Sequence, residues 1–162
     1  MNLVLARVDD RLIHGQVAIA CRDATGARRM ILANGEAAAD ALQRQLYRAA
    51  VPPSVELEIL DLQEAARRLR ELDARGDQVP TLLVTESPQD MLALVEAGAP
   101  IRSVNLGGLH HHQGSRERWS GFFLDPEQEQ AVRTLLARGI EVIAQTVPRS
   151  PAVDVGRQWE RK

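Results

Sequence analysis

The sequence predicts a single α/β domain over residues 1–162, a mostly parallel sheet with helices on both faces. Three observations lead there. Apolar runs of four to eight residues alternate from end to end with helix-like segments of ten or more, the pattern of strand–helix–strand units. Hydrophobic residues make up 44% of the chain and charged residues 26%, enough to fill a core and too balanced for disorder. No repeat, low-complexity tract or linker interrupts the 162 residues, a length that suits one core rather than two.

Leu3 to Val8 reads as a buried strand closed by Asp9 and Asp10. Gln16 to Thr25 is helical, with Gly26 placed to stop it. Met30 to Ala33 is the second strand. Glu36 to Ala50 follows as one alanine-rich helix with Leu42, Leu46 and Ala49 on one face, ended by Pro52-Pro53. Val55 to Leu60 is the third strand, and Asp61 to Arg75 a helix with Leu62, Ala65, Ala66, Leu69 and Leu72 on one face. Val79 to Thr85 is the fourth strand. Ser87-Pro88-Gln89-Asp90 then opens a helix that Gly98 ends. Ile101 to Leu106 is the fifth strand, followed by a polar loop from Gly107 to Ser120 and a short strand from Gly121 to Leu124. Asp125-Pro126-Glu127-Gln128 caps a helix to Arg138, and Ile140 to Ala144 is the last strand before a tail with a short helix.

Composition narrows the function classes. A formal net charge of -2 provides no general field for nucleic acid or an anionic membrane surface, so neither is expected as a partner. No apolar run approaches the ~18–20 residues of a membrane span, so no direct insertion is expected. Residues 1–7 do not read as a signal peptide. Cys21 is the only cysteine, which excludes an internal disulfide and a zinc cluster. A cytoplasmic location and no cofactor are the expectations.

In a parallel sheet, ligands sit beyond the carboxyl ends of the strands. Asp9 to Gln16, Asp61, Thr85 to Ser87 and Asn105 to Gly108 all fall at that edge. The loop after the first strand offers two carboxylates, a guanidinium, an imidazole and a glycine ahead of a helix start. A neutral imidazole is nucleophilic near its pKa of ~6.5, which suits His14 to accept a phosphoryl group. Arg11 can hold the resulting negative charge bidentately, and the helix beginning near Gly15 adds backbone N–H groups. Gly15 also removes side-chain bulk where backbone must approach phosphate. Asp9 or Asp10 can fix the imidazole tautomer. Such transfer is mainly positioning and charge stabilisation and requires no metal. The plain alternative is a surface histidine beside a solvated Asp-Asp-Arg set.

The run Arg7-Val8-Asp9-Asp10-Arg11-Leu12-Ile13-His14-Gly15-Gln16-Val17 closely resembles the signature of the IIB component of the mannose/fructose/sorbose class of the bacterial sugar phosphotransferase system (PTS). Asn34 to Asp40, Pro52-Pro53, Glu86 to Gly98, Asn105-Leu106-Gly107-Gly108 and Gln145-Thr146-Val147-Pro148 are similar to other stretches of that family. The resemblance implies a phosphocarrier on a mostly parallel sheet of about seven strands, in line with the order of elements. His14 would accept phosphate from a phosphorylated IIA partner and pass it to a sugar presented by membrane IIC and IID subunits. Arg11 would hold the phosphate and Asp9 support the imidazole. Asp10, Gly15, Gln16 and Arg7 bind or support the phosphate in the same reading. There are two departures from the pattern: Ala18-Ile19-Ala20-Cys21 lacks the usual aromatic, and Gly35 stands where an acid is usual.

Rival readings remain. A receiver-like signalling domain would use Asp9, Asp10, Asp61 and Thr85, but it needs a lysine near the end of the fifth strand, and the only lysine is Lys162. Asp61 also starts a capping box. His110-His111-His112 suggests a metal site, yet adjacent residues cannot all point one way and no i, i+4 pair accompanies them, so no metal is expected. Because that loop leaves the fifth strand at the carboxyl edge, Gly107 and His110 are instead expected near His14. A nucleotide-binding module lacks both GxGxxG and GxxxxGK[ST]. A IIB-like protein serving regulation rather than uptake is indistinguishable at this level.

Overall fold

The structure, a computed structural model, describes residues 1–159; Lys162 lies outside the described residues. Its main sheet has seven strands: β1 (Leu3–Asp9), β2 (Arg29–Ala33), β3 (Glu56–Leu60), β4 (Thr81–Thr85), β5 (Ser103–Gly108), β8 (Glu141–Ala144) and β9 (Val153–Asp154). Their spatial order is β3-β2-β4-β1-β5-β8-β9. Every pairing in this sheet is parallel except β8 with β9. The expected mostly parallel sheet with helices on both faces is what forms.

Strand alternation divides the core in two. From β2, Ile31 and Ala33 join one apolar cluster, while Met30 and Leu32 join the other. The first cluster packs under α4 (Leu62–Ala74), α5 (Pro88–Glu96) and α6 (Pro126–Ala137), through Leu69, Met91, Leu94 and Val132. The second gathers Val17, Cys21, Ala37 and Val51 from the segments between β1 and β3. Because both faces are covered, β2 and β4 are buried along their whole length, and Met30 to Ala33 and Leu82 to Val84 read as continuous apolar runs.

Four local features differ from the sequence reading. Gln16 to Thr25 is not one regular helix: a π-helical segment, Gln16–Cys21, leads into α1 (Arg22–Thr25), and Gly26 stops it in the left-handed region at φ 69°. Glu36 to Ala50 is two helices, α2 (Gly35–Ala39) and α3 (Ala41–Ala50). Asp40 is extended between them, and its carboxylate accepts the N–H groups of Leu42 and Gln43, at 2.8 and 3.1 Å, as the cap of α3. The polar loop after β5 is shorter than expected, since Gly107 and Gly108 belong to the strand. Within it, β6 (Arg116–Trp119) pairs antiparallel with β7 (Phe122–Leu124) in a separate two-stranded sheet. Finally, the tail supplies the edge strand β9 before α7 (Val155–Trp159).

The topology creates a crevice at the centre. After β1 the chain crosses towards β2 and β3, whereas after β5 it moves the other way, to β8. The carboxyl ends of neighbouring β1 and β5 therefore release their loops in opposite directions, the usual place for a ligand in an open α/β sheet.

Candidate active site

Asp9 is the last residue of β1, pairs with Gly108 of β5 and has no exposed surface. A buried carboxylate must be compensated, and here it is densely so. Its Oδ2 accepts from Arg7 Nε at 3.2 Å, Arg7 Nη2 at 2.9 Å and His14 Nε2 at 3.1 Å. Its Oδ1 accepts the backbone N–H of Arg11 at 3.1 Å and lies 3.7 Å from Arg11 Nε. Burial pushes the Asp9 carboxyl up, but the His14 hydrogen bond, the Arg7 charge and the Arg11 N–H together hold it below the ordinary carboxylate value. Asp9 is thus ionised at neutral pH. An ionised oxygen can only accept, so His14 Nε2 is the nitrogen that donates, and Nδ1 is the one that can present a lone pair.

Arg7 is the support beneath Asp9. Only 1% exposed, it also donates to Asn105 Oδ1 at 2.9 Å and to the Thr146 carbonyl at 2.8 Å. Its guanidinium fills the space over Gly107, where any methyl group would coincide with it. A methyl on Gly108 would stand 2.6 Å from Asp9 Oδ1. The two glycines are there because charged side chains of β1 lie against the backbone of β5.

The loop lifts His14 by burying its neighbours. Leu12 and Ile13 are 7% and 4% exposed and sink into the second apolar cluster beside Val17. Leu12 adopts the left-handed conformation at φ 57°, costly for a side chain of this size, and its N–H closes a turn on the Asp9 carbonyl at 2.9 Å. Packing of Leu12 offsets that strain. The result leaves Arg11 47% exposed in its side chain and His14 21% exposed, side by side above a buried acid. Behind them Gly15 starts the π-helical segment without a side-chain cap, and a methyl there would meet nothing within 4 Å. By contrast α2 to α6 each carry an Asn, Asp or Ser cap.

The other side of the lip is built by β5. Asp10 N–H donates to the Gly108 carbonyl at 2.9 Å, and His110 bonds the Asp10 carboxylate through its backbone N–H and Nδ1. The three neighbouring histidines part company: His111 sets its ring edge against Phe123, and His112 Nε2 meets Asp125 at 3.1 Å. Among the described residues no group of three or more His, Cys, Asp or Glu is placed to hold a metal ion.

A family model described as PTS system sorbose subfamily IIB component matches residues 3–161. The chain belongs to this IIB family. The N-acetylgalactosamine-specific phosphotransferase enzyme IIB component 2 of Escherichia coli strain K12 is 32% identical over 154 residues, 95% of this chain and 96% of that protein. The mannose-specific EIIAB component of the same strain is 36% identical over 151 residues, covering 93% of this chain but 46% of the longer protein. The IIBSor domain of the sorbose permease from Klebsiella pneumoniae superposes with a TM-score of 0.89 at 29% identity, over 100% of this chain and 98% of that one. The resemblance carried by Arg7 to Val17 is therefore a true kinship, and the IIB fold is the fold observed.

Against this IIB frame, the structure brings Arg7, Asp9, Arg11 and His14 into one bonded group, with Asp10 and His110 as a second pair beside it. Gly107 lies directly under the Arg7 guanidinium. The side chain of Gln16 lies outside the described residues. Sequence reasoning missed Asn105 and the carbonyls of Gln145 and Thr146 as holders of Arg7. Asn105 stood at the right edge of the sheet, but nothing in a sequence marks a main-chain carbonyl as an arginine acceptor. Among the described residues, no helix is long and apolar enough to cross a membrane.

Proposed function

We propose that this chain is a phosphohistidine carrier of a sugar phosphotransferase system, with His14 as the residue that takes and gives the phosphoryl group. The observation that carries the reading is the His14–Asp9 bond at 3.1 Å to an acid buried over Arg7. It leaves one imidazole nitrogen with a lone pair and holds the ring still. Nδ1 attacks the phosphorus of a phosphorylated IIA donor, the donor's N–P bond breaks, and the electron pair returns to the donor imidazole. In the second step a sugar hydroxyl, presented by membrane IIC and IID subunits, attacks the same phosphorus. The His14 N–P bond breaks and the hydroxyl proton leaves to solvent.

Arg11 acts as the anion clamp: its exposed guanidinium is a fork suited to two phosphoryl oxygens, and its own N–H is tied to Asp9. Asp9 orients and Arg7 supports Asp9. The uncapped helix start at Gly15 offers N–H donors and the positive end of a helix dipole to the same anion. A IIA donor is supported by the mannose-specific EIIAB relative, whose name joins the two components in one protein.

The experiment is a two-step transfer. Labelled phospho-IIA is incubated with the purified chain, and membranes holding the IIC and IID subunits and sugar are added. Label should appear on the chain first and then on the sugar. A chain that gains no phosphate contradicts the reading. One that gains it and never releases it to sugar would instead be a IIB-like regulatory phosphoprotein.

A further inference from the structure

We propose that His110 is a positioning residue for phosphoryl transfer: it pins Asp10, and through Asp10 the turn that presents Arg11 and His14. The inference rests on the reading of His14 as the phosphate carrier. His110 lies 100 positions from Asp10 in the chain, yet its backbone N–H reaches Asp10 Oδ2 at 2.6 Å and its Nδ1 reaches Oδ1 at 2.7 Å. The Asp10 N–H in turn donates to the Gly108 carbonyl at 2.9 Å. Three bonds therefore fasten one residue of the His14 loop to the exit of β5.

The loop needs such a fastening. It contains a left-handed leucine at Leu12, and it must keep Arg11 and His14 in register while a partner comes and goes. Asp9 holds it from below, in the core; Asp10 holds it at the rim.

Because the His110 and Asp10 side chains are 54% and 30% exposed, the pair adds little to global stability. Its effect falls on geometry, where small misplacements slow group transfer strongly. That contrast separates a positioning role from a structural one.

The test measures phosphate gained specifically on His14, by site-resolved mass spectrometry, in the full chain. Two donors are used: phospho-IIA, and phosphoramidate, a small donor that needs no protein docking. His110→Leu should slow transfer from both donors about tenfold, through kcat with KM for phospho-IIA unchanged, while the melting temperature stays at the wild-type value. His110→Asn places an amide N–H where Nδ1 stood and should restore most of the rate. A wild-type rate in His110→Leu overturns the proposal, as does a defect seen only in KM for phospho-IIA, which would mark a docking residue. So does failure of His110→Asn to recover any rate. Absence of phosphate on wild-type His14 would overturn the carrier reading and this inference together, whereas normal wild-type labelling with an indifferent His110→Leu would overturn the inference alone.

Discussion

Adding one methyl group to β5, in Gly107→Ala, should do disproportionate damage. The new Cβ would coincide with the Arg7 guanidinium, which is 1% exposed and hydrogen-bonded to Asp9, Asn105 and the Thr146 carbonyl. Arg7 must leave, or β5 must move and break its register with β1. In the first case the Asp9 carboxylate stays buried without its main cation; in the second Arg7 loses Asn105 and Asp9 loses the cover of β5. Breaking one side of a buried pair costs about 3–5 kcal/mol, a large part of the 5–15 kcal/mol typical of a domain. For a chain of this size that corresponds to a fall in Tm of roughly 6–20 °C. Urea and thermal unfolding read the loss directly. Gly15→Ala is the matched control: its methyl meets nothing within 4 Å and its backbone is helical, so stability should hold or rise by up to about 1 kcal/mol. If Gly107→Ala unfolded within 1 kcal/mol of wild type, the account of Arg7 as the enclosed support of Asp9 would be wrong.

Three further outcomes follow from the same geometry. Arg11→Lys keeps a positive charge but loses the planar fork, so transfer to and from His14 should slow about tenfold with stability unchanged; full speed would remove Arg11 as the clamp. Leu12→Gly relieves about 1 kcal/mol of left-handed strain but gives up about 2–3 kcal/mol of burial, so the urea midpoint should fall; a more stable variant would show that packing does not hold this turn. The β6–β7 hairpin is tied to α6 by Arg116 and Arg118 on Glu129. Burial pushes the Glu129 carboxyl up, but the two arginines hold it down, at about 2 against an ordinary 4.5. A depressed acid contributes fully above pH 4.5 and is lost as pH falls through about 2. Glu129→Gln should therefore lower stability at pH 7 by about 2–3 kcal/mol and flatten that acid limb; an unchanged profile would refute the assignment.

The parts of the fold that could be read in the sequence are those with a local cause. Asp61 and Asp125 form the capping boxes their spacing announces, and Ser87 with Pro88 starts α5 as expected. The break at Asp40 was equally present, since Asp40 and Gln43 stand at capping distance, but the continuous Leu42, Leu46, Ala49 face concealed it. That face turned out exposed: Leu42 and Leu46 are 64% and 60% accessible. Arg116-Glu117-Arg118-Trp119 has no apolar alternation because its two arginines face Glu129 rather than a core. The Ser120-Gly121 turn, with Gly121 at φ 80°, was the available signal for the hairpin. At the candidate site, Asp9, Arg11 and His14 were legible because one loop carries them. What Arg7, Asn105 and Gly107 do was not, since it depends on β1 lying beside β5 with a register only the folded sheet sets.

The central claim is that His14 is the phosphate carrier, and the most direct measurement is the identity of the phosphorylated residue. The purified chain is incubated with phospho-IIA and digested at neutral pH, and the modified residue is mapped by mass spectrometry beside His14→Ala. The account predicts one acid-labile, hydroxylamine-stable phosphate on His14, absent from a His14→Ala chain whose circular dichroism matches wild type. Phosphate that persists in His14→Ala, or a hydroxylamine-sensitive phosphate on Asp9 or Asp10, would contradict it.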